Sequence, residues 1–383
     1  MKVVERLFER LRPRFERPPL RFFRPLFDAI EAFHLWPTTA PDRPPWVRDP
    51  LDVKRYMSMV VIGLLPPLLA GVYLFGLRVL AVILVSYVVG GIIEVLFACV
   101  RREEINEGFL VTGLIFPLAL PPGIPLWMVA VGVAAGVILG KEIFGGTGRN
   151  LFNPALLGRC ILTVGYPTGM GAWIEPKTEW PGRLLEYAVA PASYGDAAGA
   201  AGEAAESAVD AVTVATPLVE AKAALESPET FYDEAEPVAD LVWGNIGGCI
   251  GETSAVCILL GAAFLLLVGV VPWRTIGGAF AGFLVLGAML HAAAPMTFGP
   301  VGWHLFAGGF LFGTVYMATD PVSSPITKPA KLVYGLLIGV LVVLIRNLTG
   351  YVEGVTFAIL LGNIAAPTLD EVVIRWRTRR LEA

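Results

Sequence analysis

The amino-acid sequence predicts an all-α integral membrane protein of about ten transmembrane helices, arranged as two inverted five-helix repeats with broken or short helices. Three observations carry this. The first is composition: 55% of the 383 residues are hydrophobic and 16% charged, with mean hydropathy +0.67, whereas soluble domains carry about a quarter charged residues. The second is a series of ten apolar runs, at 57–76, 79–99, 109–121, 125–140, 154–166, 254–271, 275–294, 303–318, 332–347 and 353–367. Crossing the hydrocarbon takes about 20 apolar residues. Several runs are shorter than that and are interrupted by Gly or Pro, as in "GFLVTGLIFPLALPP" and "GGFLFGTVYMATDP". Such segments lie at membrane depth only where protein or a cavity covers the freed backbone. The third is recurrence. "GFL" starts at Gly108 and again at Gly309, and "LLG" ends at Gly158 and at Gly362. Five spans per half reverse the orientation of the second half, a plan that places a site near the membrane midplane.

Taken in order, residues 1–56 form an amphipathic N-terminal segment with 12 Lys/Arg against 8 Asp/Glu. Its start, "MKVVERLFERLRPRFERPPL", is too charged for a cleavable signal. "RFFRPLFDAIEAF" suits a helix on the membrane surface or a docking surface for partner subunits. The first repeat covers 57–166. Residues 167–253 form a loop outside the cytoplasm, and residues 166–253 hold 3 Lys/Arg and 15 Asp/Glu. Within it, 187–209 is rich in Ala, Gly and Glu and reads as a flexible tether. The second repeat covers 254–367, and 368–383 is a basic tail.

Loop charge sets the orientation. With both termini in the cytoplasm, Arg101, Arg102, Lys141, Arg149, Arg274, Lys328 and Lys331 fall inside, and of the short-loop cations only Arg78 and Arg346 fall outside. Cys99, Cys160, Cys249 and Cys257 make no CxxC pair and have no His at ligand spacing, so no metal site is expected. No nucleic-acid partner is expected. The glycines of "GKEIFGGTGRN" follow no strand, which excludes a dinucleotide-binding loop; Gly145, Gly146 and Gly148 instead suit positive φ beside a span. Polar groups at membrane depth are functional candidates. Here these are Asn150, Asn153, Arg159, Glu107, Glu142 and Asp320.

Five strings together, "VRDPLDVKRYM", "EINEGFLVTGLIFPLALPPGIPLWMVAVG", "GKEIFGGTGRNLFNPALLGR", "GNIGGCIGETSA" and "MATDPVSSP", resemble the family of B subunits of the sodium-translocating NADH:quinone oxidoreductase. That family shares a superfamily with the D subunit of Rnf complexes, whose fold is similar to urea and ammonium channels. The resemblance implies a multi-pass subunit of the bacterial inner membrane, working with other membrane, flavin and iron–sulfur subunits. Electrons would pass through covalent FMN and a riboflavin to a quinone, coupled to Na⁺ transport.

In this family a flavin transferase joins FMN through a phosphoester to a Thr in an Asp-x-x-Ser/Thr-Gly/Ser-Ala-Thr pattern. Asp210, Thr213, Ala215 and Thr216 fit it, with Thr216 as acceptor, and Val214 stands where the family has a small residue. Arg159, Asn153, Glu252, Thr253 and Ser254 are expected to contact the cofactor, since "GETSA" opens a span whose helix N-terminus favours an anion. The resemblance places the quinone near Gly145 and Gly146, and Glu142, Asp320 and Glu107 are expected along the ion path. Two other readings stay open: the Rnf-type D subunit of a ferredoxin:NAD oxidoreductase, and a redox-free channel of the same fold.

Overall fold

A computed structural model describes residues 11–15, 20–27, 53–103, 108–177, 182, 184, 186, 218, 237–293, 299–349, 351 and 353–382. Each of the ten apolar segments is helical over most of its length. The helices are α1 (Val53–Phe75), α2 (Arg78–Arg101), α3 (Gly108–Leu118), α4 (Leu126–Val137) and α5 (Pro154–Gly165). They continue as α6 (Ala255–Val268), α7 (Trp273–Ala293), α8 (Val301–Phe306), α9 (Phe310–Phe312), α10 (Lys328–Leu348) and α11 (Val355–Glu382). Two π-helical turns prolong α4 over Ile138–Glu142 and α9 over Gly313–Met317. The chain is thus an all-helical membrane protein. By length and apolarity α1, α2, α7, α10 and α11 can each cross a membrane, and α3, α5 and α6 are shorter apolar helices.

The short helices break where the sequence forces them to. α3 runs 11 residues, about 16 Å at 1.5 Å per residue, roughly half the hydrocarbon thickness. Its Pro117 lies in the last turn, and the chain after it, through Ala119, Leu120 and Ile124, is fully buried without being helical. Most of those backbone groups find partners. Gly251 N–H donates to Leu118 O at 2.7 Å and Ile250 N–H to Leu120 O at 3.0 Å. The Arg78 guanidinium donates to the carbonyls of Pro122, Gly123 and Ile124. Arg346 does the same at the other break, donating to His304 O and Ala307 O. Both arginines that the charge count assigns to loops are therefore buried at the starts and ends of helices, collecting carbonyls that lost a helical partner.

Packing between the long helices rests on small residues. α7 and α10 meet through Gly278 and Gly282 on one side and Gly335 and Gly339 on the other. A Cβ on Gly335 or Gly339 would overlap the backbone carbonyls of Thr275 and Ala279, and one on Gly278 or Gly282 those of Leu332 and Leu336. With no hydrophobic force between helices in lipid, such backbone approach is what holds them. Gly339→Leu is expected to abolish recovery of monodisperse protein in detergent, because backbone cannot yield as a side chain can; overpacking of this kind costs about 1–3 kcal/mol or more. Size-exclusion chromatography of the variant checks it. The π-turn after α9 is tied to α1 more specifically: the Tyr316 hydroxyl donates to Gly63 O at 2.9 Å, with Ile258 O of α6 3.3 Å away.

The basic segment 368–383 is helical through Glu382 as a continuation of α11, past Pro367. Its stretch "LDEVVIRWRTRRLE" is rich in helix formers, and Arg375 pairs with Glu371 at 2.6 Å one turn back.

Candidate functional site: two cavities joined by a half-helix

α5 organises the site. The Asn153 side chain accepts hydrogen bonds from Ala155 N–H at 3.0 Å and Leu156 N–H at 3.5 Å, and Pro154 takes the first helical position. This is a strong helix start. Arg159 follows six residues on, about 9 Å along the axis. Asn153 borders one cavity and Arg159 another, so the half-helix connects the two.

The Arg159 cavity holds about 300 Å³, and its walls include Trp173, Tyr351, Phe357 and the glycine pair Gly247–Gly248. Arg159 is buried beside it and bridges two carboxylates from distant parts of the chain. Its Nη1 donates to Glu252 Oε1 at 2.6 Å and its Nη2 to Glu353 Oε2 at 2.6 Å, with Cys249 Sγ 3.4 Å from Nη2. Glu252 and Glu353 lie in the turns that precede α6 and α11, outside the spanning helices. They come close together because Gly309 has no side chain: a Cβ there would overlap an oxygen of each. The Gly309 amide also donates to Glu353 Oε1.

These surroundings separate the two acids. Burial, reinforced by Glu353 and only partly opposed by Arg159, pushes the Glu252 carboxyl up to about 7. Burial acts in the same direction on Glu353, but Arg159, Arg346 and the Gly309 amide outweigh it and hold this carboxyl below the usual range. Burial, with Glu252 nearby, pushes the Cys249 thiol well up, so it stays protonated. Among the expected cofactor contacts, Glu252 and Thr253 line the cavity. Ser254 instead caps α6, accepting from Cys257 N–H at 3.5 Å. Leu218 also lines the cavity and is anchored in a small cluster with Leu241, Ile246, Trp303 and Ala307. Asp210, Thr213, Ala215 and Thr216 lie outside the described residues, as does Glu107.

The second cavity, about 60 Å³, is lined by Tyr56, Thr112, Lys141, Asn150, Asn153 and Asp320, among others. The Asp320 carboxylate accepts from Ser323 Oγ at 2.6 Å and from the Val322 and Ser323 amides. Beside it the π-turn of α4 aims adjacent residues at two different partners. Lys141 Nζ meets Glu94 Oε1 at 2.5 Å, and Glu142 meets Arg101 at 2.7 Å. Glu142 and Asp320 therefore hold separate partners. Gly145, Gly146 and Gly148 have φ of 108°, 91° and 89°, the left-handed region expected for this turn.

Sequence reasoning missed Glu94, Cys249 and Glu353. Glu94 had a signal, a lone carboxylate in the 24-residue apolar run of α2. Lys141→Met would leave Glu94 buried without a cation and is expected to destabilise by about 3–5 kcal/mol. Adding Glu94→Gln should restore most of that, a coupling that thermal unfolding in detergent measures.

The NQR2, RnfD, RnfE family model matches residues 41–378. The chain is 33% identical to the B subunit of the Na(+)-translocating NADH-quinone reductase of Chlamydia caviae, over 94% of this chain and 96% of that protein. It is 34% identical to the protein of that name from Azotobacter vinelandii, over 93% and 92%. The same identity holds for the one from Pseudomonas aeruginosa (strain LESB58), over 93% of each chain.

Proposed function

The chain belongs to the NQR2, RnfD, RnfE family, and from that membership we propose that it is the membrane electron-transfer subunit of a Na⁺-translocating NADH:quinone oxidoreductase. On this reading it sits in a bacterial inner membrane with both termini in the cytoplasm, and 57–166 and 254–367 are inverted repeats. Electrons arrive from a partner subunit, pass through FMN on Thr216 and a riboflavin, and reach a quinone near Gly145 and Gly146. Na⁺ is the cargo, with Glu142, Asp320 and Glu107 along its path. NADH oxidation belongs to another subunit.

The observation that carries the flavin reading is Leu218. It is buried in the wall of the Arg159 cavity, and Thr216 precedes it by two residues, at most about 7 Å of chain. A group esterified to Thr216 would then lie within reach of this cavity. The residues there fit a flavin. A volume of about 300 Å³ is at the lower end of ligand pockets, Trp173, Tyr351 and Phe357 line it, and Arg159 offers a buried cation.

FMN, when attached, supplies one- and two-electron chemistry. The chain's own residues do the rest. Thr216 would hold the FMN through its hydroxyl oxygen: the transferase would move the FMN phosphoryl group from a flavin dinucleotide donor, the nucleotide monophosphate leaving and the hydroxyl proton passing to solvent. The aromatic walls exclude water and fix the ring, and α5 carries the arrangement from Arg159 to Asn153 at the second cavity.

The test is to co-express the chain with its transferase, denature it, look for flavin fluorescence on the band and locate the modification by mass spectrometry. Flavin on Thr216 is expected. A flavin-free chain, with the transferase active on another substrate, overturns the reading in favour of a redox-free channel.

A further inference from the structure

Four charged side chains from four parts of the chain gather at the Arg159 cavity, three of them lining it and Arg346 set behind Gly308 in its wall. They are Arg159 on α5, Glu252 before α6, Arg346 on α10 and Glu353 before α11. The Cys249 thiol faces them as a neutral neighbour. With both acids ionised, two guanidinium groups and two carboxylates cancel. An electron arriving in the cavity above would leave one uncompensated negative charge beside these buried groups, and buried charge of that kind is costly.

The four groups are unequal in their freedom to respond. Arginines do not give up their protons. Glu353 is fixed as an anion by Arg159, the Gly309 amide and nearby Arg346. Glu252 is different. Its Oε1 holds Arg159 at 2.6 Å, while its Oε2 has a long 3.5 Å approach from the same guanidinium, and the neutral Cys249 thiol also hydrogen-bonds the carboxylate. Glu252 also lines the cavity, where a proton can reach it. Protonating Oε2 therefore sacrifices little and removes the surplus charge.

We infer that Glu252 is the redox-linked proton acceptor of this cavity, gaining a proton when an electron reaches the flavin and losing it on reoxidation. The inference rests on the reading that Thr216 carries FMN. The electron comes from the donor flavin subunit, the proton comes from water at the cavity mouth, and one O–H bond forms on Glu252 Oε2. On reoxidation that bond breaks and the proton returns. The carboxyl's upward displacement to about 7 is consistent with this, since it leaves the group ready to change state near neutral pH.

The experiment is redox-difference infrared spectroscopy on the intact FMN-bearing chain, reduced with dithionite, after mass spectrometry has confirmed modified Thr216. Reduction is expected to produce a carboxylic-acid C=O band that moves down in D₂O, disappears in Glu252→Gln, and persists at a shifted position in Glu252→Asp. The potential of the flavin should also lose much of its pH dependence between pH 6 and 8 in Glu252→Gln. Absence of the band in the wild-type chain overturns the inference without help from any variant, as does its survival in Glu252→Gln. An unmodified Thr216 is a different failure, which removes the flavin reading and this inference together.

Discussion

Thr216→Ala is expected to remove all covalent flavin from the chain and, with it, essentially all quinone reduction by the assembled complex. Alanine has no oxygen to esterify, and a flavin bound only by contact would lack the tether that places it above Arg159. Thr216→Ser keeps the hydroxyl and should retain flavin, which separates loss of attachment from loss of fold. The readouts are flavin fluorescence of the denatured band and NADH-driven quinone reduction in the complex. Folding should be unaffected, because nothing esterified to the peptide is needed to seat Leu218 among Leu241, Ile246, Trp303 and Ala307.

Arg159→Leu is expected to have the largest effect on stability. It leaves Glu252 and Glu353 facing each other across Gly309 with no cation between them. Removing one partner of a buried ion pair costs about 3–5 kcal/mol, and here two carboxylates lose their partner at once. Arg159→Lys should recover only part of this, since an ammonium on a flexible stem cannot span both carboxylates as a planar fork does. The triple variant Arg159→Met, Glu252→Gln, Glu353→Gln leaves Arg346 with only its carbonyl partners and should recover part of the lost stability while failing to hold flavin normally. Thermal unfolding in detergent, with flavin content measured alongside, distinguishes the outcomes. Equal unfolding temperatures for Arg159→Leu and the wild type would show that the ion pairs do not stabilise the fold.

The helical character of the ten apolar segments was legible because hydropathy is a local property, and the breaks announced themselves as Pro117 and the glycines around α9. The start of α5 was legible in the same way, with Asn153 before Pro154. What sequence could not show is which residues meet. Arg159 finds its carboxylates 93 and 194 positions away, and no periodicity reports a contact at that separation. Glu353 reads locally as an acid just ahead of an apolar run, and Cys249 as a small hydrophobe. Their significance arises only when three loops converge on one guanidinium. Arg78 and Arg346 show the converse. Counting them as loop charges missed both their places within α2 and α10 and their work, because binding carbonyls of a broken helix depends on where that helix ends in space.

The continuity of α11 has a mechanical consequence. Its 28 residues extend about 42 Å, some 12 Å more than the hydrocarbon is thick. The excess includes Trp376 and the arginines near it, which form a stiff outrigger rigidly joined to the helix that begins just after Glu353. Any tilt of α11 at the Glu353 end is thus magnified at the other, and a fluorophore placed on that end would swing with the helix and not on a slack tether.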